Sequence, residues 1–191
     1  LIPQSGMPVE VDWGRLFIAL LINILVFPLA ATGYEYMVLR TAREENASLE
    51  DILAPFSRFL SVLGAIFLWL LVVTVGFFLL IVPGIVWALK YMYAPLLVVD
   101  RGLTAVEAMG ESGRLTYGYK WKLFLLGLVF GLVIEFPIGL ILMGIASASW
   151  GLGLLLGVVA HLFLYPWYTA AFVVAYRGMW EELEPATASG S

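Results

Sequence analysis

Five apolar runs, at 16–39, 59–82, 85–99, 123–146 and 152–176, alternate with short polar stretches along the chain. Four of them reach the roughly 20 residues that a helix needs to cross hydrocarbon. The pattern predicts an all-α fold, a polytopic transmembrane helical bundle of about five spans. The third run is short, and Pro83-Gly84 breaks the chain just before it. It reads either as a short span or as a re-entrant piece paired with the second run.

The polar stretches at 48–58 and 104–114 predict short amphipathic helices. Each opens with a hydroxyl and carries an acid three residues on, Ser48 with Asp51 and Thr104 with Glu107. That spacing lets the two side chains satisfy exposed N–H groups of a helix start. Arg58 and Arg114 follow at matching distances, each just before the next apolar run. The unit of run, short helix and run thus occurs twice in the same orientation. Leu49, Ile52, Leu53, Phe56 and Leu60 fall on one helical stripe, which is expected on the membrane surface or against the bundle. In the second connector Glu111 and Arg114 are spaced for an i,i+3 ion pair.

Charge orients these elements. Arg40, Arg43, Arg58, Arg101, Arg114, Lys120, Lys122 and Arg177 fall on one side of the runs, Arg15 on the other, and Lys90 within a run. Lys and Arg near span ends are retained on the cytoplasmic side. The expectation is a multi-pass protein of the cell membrane, with this chain's N-terminus outside and its C-terminus in the cytoplasm. The odd number of runs, and a start at Leu1 without methionine, lead us to expect a sixth helix upstream. Residues 1–184 read as one transmembrane helical domain, and 185–191 as a disordered tail or cloning scar.

Composition narrows the chemistry. Apolar residues make up 62% and charged residues 13%, against about 45–50% and 25% in soluble domains. Acids cluster on the same side as the bases, which argues against a nucleic-acid surface. With no cysteine, disulfides, thiolate metal sites and cysteine nucleophiles are excluded. A single histidine, and no HExxH, Gly-rich phosphate loop or Ser-His-Asp order, leave no expected metal, cofactor or enzymatic activity.

The stretch Ile81-Val82-Pro83-Gly84-Ile85, then Tyr91 and Pro95-Leu96-Leu97-Val98-Val99-Asp100, is followed by Glu107-Ala108, Ser112, Arg114-Leu115, Gly118, Lys120-Trp121 and Phe124. Over residues 81 to 124 this resembles the membrane domain of glycerophosphoryl diester phosphodiesterases and related stand-alone prokaryotic membrane proteins of unknown function. The resemblance implies a bundle of about six helices. It implies no phosphodiesterase activity, because nothing here matches the metal-binding carboxylates and histidines of that family's separate catalytic domain.

Three ionisable residues within the runs stand out: Lys90, Glu135 and His161. Such groups are costly in hydrocarbon and so become candidates for function. Counting along straight helices places all three in one polar layer. That layer reads either as a small-anion or proton-relay site, or as a Lys90–Glu135 pair locking two helices with His161 bonded to a carbonyl. Gly127 with Gly131, and Gly153 with Gly157, have the spacing for close helix packing. Arg114, Lys120 and Lys122 lie among aromatics as a rim for anionic lipid headgroups or as topology anchors. The leading expectation is a non-enzymatic scaffold or accessory subunit, with the lipid bilayer and a membrane-protein partner or second copy as its contacts. The alternative is a small-solute or ion transporter using the Lys90, Glu135 and His161 layer. A third expectation is lipid handling through the basic rim.

Overall fold

The computed structural model describes residues 12–188, and no strand occurs among the described residues. Residues 1–11 and 189–191, and the side chains of Arg15, Leu16, Ala19, Asn23, Trp150 and residues 184–188, lie outside the described residues. The helices are α1 (Trp13–Leu21), α2 (Phe27–Ala42), α3 (Phe59–Leu79), α4 (Ile81–Tyr91), α5 (Ala94–Arg101), α6 (Ala105–Leu115), α7 (Lys120–Leu128), α8 (Phe136–Ala148) and α9 (Trp150–Ala188). A 3-10 helix at Leu49–Arg58 precedes α3, and π-helical segments at Ile22–Val26 and Val129–Glu135 join α1 to α2 and α7 to α8.

Proline explains both π segments. A proline within a helix lacks an N–H and collides with the carbonyl four residues back. Pro28 has this relation to Ile24, and Pro137 to Val133, and each partner lies inside the π segment just before. The chain answers by widening one turn: Phe27 N–H donates to the Ile22 carbonyl and Phe136 N–H to that of Gly131.

Four helical stretches are long and apolar enough to cross a membrane: Leu49–Leu79, Ile81–Arg101, Lys120–Ala148 and Gly151–Leu183. The run at 16–39, expected as a span, includes Leu16, Ala19 and Asn23, whose side chains lie outside the described residues; its helix is widened by the π segment and carries Glu35. The third run proves longer than its apolar core, because helix begins at Ile81. Its continuity is relaxed at Met92-Tyr93, where Pro95 permits no unbroken ladder. The tail expected to be irregular from 185 is helical as far as Ala188.

Two hairpins and a dense knot of connectors organise the molecule. α3 and α4 pack antiparallel through Leu80, the one extended residue between them. The pairing is close because Gly76 faces Gly84; a Cβ on Gly76 would lie 2.8 Å from the Gly84 Cα. α8 and α9 form the second hairpin through Ser149. At the other end, α5 is the central post. Ala94, Leu96, Leu97 and Val98 are buried by α2, α3 and α6, and they join Tyr176, Val173, Leu29, Leu39 and Val62 in one core. Gly102 ends α5 in the left-handed conformation (φ +69°), which glycine adopts freely, and α6 folds back along α5.

The expected stripe on the first connector faces the opposite way from one that packs inward. Asp51 and Pro55 are buried against α2, while Leu49 and Leu60 are 77% and 82% exposed. Gly33 makes this possible, because the Ile52 backbone occupies the place a Cβ would take.

Candidate functional site

The polar side chains gather at the connector end. Asp100, at the end of α5, has a side chain only 3% exposed. It receives both arms of the Arg43 guanidinium, at 2.5 and 3.0 Å, and the Tyr176 hydroxyl at 2.7 Å. Bidentate geometry of this kind is strong and directional, and it ties α2, α5 and α9 together. The bond to Asp100 raises the already high pKa of Arg43 further. Arg101 lies 3.6 Å from Asp100, with its guanidinium 4.1 Å from the Trp180 ring. Arg177 pairs with Glu181 at 2.6 Å and donates to the Ala42 carbonyl. A cavity of about 490 Å³ opens among these groups. Its three guanidiniums are matched by Asp100, Glu45 and Glu181, so its charge is spent on holding helix ends together.

Smaller clasps secure the connectors. Arg40 reaches Asp51 at 2.6 Å and Glu45 at 3.1 Å, and Asp51 accepts from the Ser48 N–H at 2.8 Å. Glu107 accepts from the Thr104 N–H at 2.9 Å and its hydroxyl at 2.8 Å. The backbone bond first, then the hydroxyl, hold the Glu107 carboxyl below the usual carboxylate range. Arg58 bridges the connectors by donating to the Gly102 carbonyl at 2.9 Å.

The expected polar layer is not assembled. Among the described residues no hydrogen bond or ion pair joins Lys90, Glu135 and His161. His161 is exposed and its Nδ1 lies 3.3 Å from the Gly157 carbonyl of its own helix. Glu135 is exposed at the end of the second π segment. Lys90 belongs to the connector end: its backbone carbonyl accepts from Ser112 and Thr116 of α6 and the turn after it, at 2.9 and 3.1 Å. Its ammonium lies 4.8 Å from the Tyr91 ring. Straight-helix counting omits the π-helical turn that ends at Glu135 and the break at Met92-Tyr93 just after Lys90.

The rim residues part company. Arg114 is held by Glu111 at 3.0 and 2.5 Å, Lys122 lies 4.9 Å from the Tyr119 ring, and Lys120 lies 5.6 Å from that of Tyr117. The glycines differ too. A Cβ on Gly153 would lie 2.7 Å from the Ala146 Cα, at the α8–α9 crossing, while Gly157 and Gly127 have ordinary contacts at 3.9 and 3.8 Å and Gly131 meets open space.

Glu35 escaped the sequence reading. It lies on α2 beside a small enclosed cavity of about 50 Å³ shared with Tyr93, Tyr168 and Thr169. Its signal was present, an acid inside the run at 16–39, but Tyr34 and Tyr36 flank it and the run reads as uninterrupted.

The class of protein that this fold defines is an all-helical bundle carrying four helices of membrane-spanning length and apolarity. Comparison of the chain with known families, with curated proteins and with solved structures gave no match.

Proposed function

We propose that the chain is a non-enzymatic integral membrane protein that acts through partners, as a scaffold or accessory subunit. The carrying observation is a difference in packing. The connector end holds the whole buried core, whereas none of the most apolar window of Lys120–Ala148 is buried within the chain. That arm touches α9 along one side and offers Leu132, Ile141 and Met143 outward. Large apolar side chains are equally at home against lipid, and it is small residues that let helices meet; on this arm Gly131, Gly139 and Gly144 stand open, with nothing within 4 Å of where a Cβ would lie. Kinship with the membrane domain of glycerophosphoryl diester phosphodiesterases, over 81 to 124, is part of this reading and concerns architecture alone.

The proposed orientation puts the connectors and C-terminus in the cytoplasm. Within it, the α3–α4 hairpin is re-entrant. Its tip, Phe77 to Val82, is six apolar residues in succession, all exposed. An aqueous loop gains nothing from such a sequence, and a lipid-exposed turn is not sustained in mid-hydrocarbon, so the tip is read as stopping near the outer edge of the apolar layer. Leu80 N–H donates to Gly76 and Gly84 N–H to Leu80. The α8–α9 turn instead carries Ser147 and Ser149. Transport through a Lys90, Glu135 and His161 layer draws no support from this geometry, since among the described residues no hydrogen bond or ion pair joins the three.

The test is photocrosslinking from Leu132 and Ile141 in the native membrane, read by mass spectrometry of the extracted complex. A discrete second polypeptide, or a second copy of this chain, is the expected product. Crosslinks to lipid alone would overturn the reading.

A further inference from the structure

Among the described residues, the guanidiniums around Asp100 and Asp51 are compensated by carboxylates, whereas the ammoniums of Lys90 and Lys120 are not. Lys90 of α4 and Lys120 of α7 line the same cavity of about 460 Å³, with Tyr91, Tyr117, Gly110 and Gly113. Among the described residues neither ammonium has an ion pair or hydrogen bond; each lies only beside a tyrosine ring, at 4.8 and 5.6 Å. Two like charges around one space, without a carboxylate in its lining, leave an unmatched positive site. Gly110 and Gly113 keep its floor low, and a Cβ on Gly110 would meet nothing within 4 Å.

The cavity does not stand alone. Lys120 also lines a groove of about 390 Å³ whose other walls are Val82, Ile85, Leu89, Trp121 and Phe124. From Leu89 to Val82 the groove follows two turns of α4 toward the apolar tip, about 10 Å at 1.5 Å per residue. A two-lysine polar pocket thus leads through one shared residue into an apolar channel running along the membrane-embedded hairpin.

We propose that this joint space binds one anionic glycerophospholipid, its phosphate between Lys90 and Lys120 and an acyl chain along the α4–α7 groove. The occupant follows from charge and shape together. A zwitterionic headgroup would carry its own cation into an already positive pocket, and a free phosphate would leave the groove unused. Aromatics at the mouth, Tyr117 and Trp121, are 79% and 67% exposed and sit where headgroups meet hydrocarbon. The site rests on the membrane reading but needs no protein partner.

The experiment is native mass spectrometry of the whole chain released from nanodiscs of phosphatidylcholine containing phosphatidylglycerol. One retained phosphatidylglycerol per chain is expected. Lys90→Gln and Lys120→Gln should each weaken retention roughly five-fold, as loss of one cation near a headgroup does, while Lys122→Gln should leave it unchanged. Gly110→Phe, which fills the cavity without altering charge, should also release the lipid; a folded thermal transition for each variant guards against loss through unfolding. Equal retention in the Lys90→Gln and Lys120→Gln variants, equal loss in Lys122→Gln, or equal retention of phosphatidylcholine overturns the proposal. So does complete displacement by glycerol phosphate at the concentration of the lipid, since that would make the groove irrelevant.

Discussion

Asp100 and Glu107 show two ways a single carboxylate holds this chain together. Asp100 is enclosed, whereas the Arg43 side chain is 27% exposed at the mouth of the cavity, so Asp100→Asn leaves Arg43 facing a neutral group with partial access to solvent. Losing the charge-assisted bonds of such a pair costs about 1.5–3 kcal/mol. Thermal unfolding in detergent should show that loss, and Arg43→Met with Asp100→Leu should recover much of it. Glu107 works at the surface. Its folded pKa is depressed by the Thr104 bonds, so its contribution is full above the unfolded carboxyl value and fades as pH falls through the folded one. Protection factors of the amides at the start of α6, taken against the intrinsic exchange rate at each pH, should therefore fall on acidification, and Thr104→Val should flatten that response. These caps were legible, because hydroxyl and acid spacing is local. Glu35 was not: nothing within six residues says that α5 and α9 bring Tyr93 and Tyr168 to it.

At the scale of elements, hydropathy located the helices, but not which faces meet. Gly153 and Gly131 belong to motifs of the same form. One lies against Ala146 and the other against nothing. Gly153→Val should cost about 1–3 kcal/mol by overpacking and loosen the α8–α9 hairpin, whereas Gly131→Ala should stay within about 0.5 kcal/mol. Chemical denaturation of both in one detergent checks the contrast. The decisive glycines, Gly33 and Gly76, match no sequence motif because their partners, Ile52 and Gly84, come from other helices. Depth along a run was equally illegible: counting rises requires regular winding, and the π-helical turn at Val129–Glu135 and the break at Met92-Tyr93 interrupt it.

For the whole molecule, the absence of cysteine in the sequence makes each introduced thiol a unique probe. With a membrane-impermeant maleimide, Ser149→Cys should label from outside and Glu107→Cys only after the inner face is opened. Leu80→Cys should resist labelling from both sides if the α3–α4 tip stops within the apolar layer. Labelling of Leu80→Cys from outside would instead make that hairpin two full crossings. The distribution of Lys and Arg along the chain supplied the sidedness of this expectation, and the exposed apolar tip at Phe77 to Val82 the proposed unequal depth of the two hairpins.

The widened turn at Val129–Glu135 carries one more consequence. Such a turn is what a regular helix becomes when a single residue is inserted without moving its ends. Deleting one residue there would restore regular winding with the flanking turns in phase, so Ala146 would keep its place against Gly153. The same deletion in the regular winding of α8 before Ala146 would swing Ala146 by about 100° off Gly153. The widened turn thus lets the arm absorb a one-codon deletion that elsewhere would re-aim it at a new neighbour.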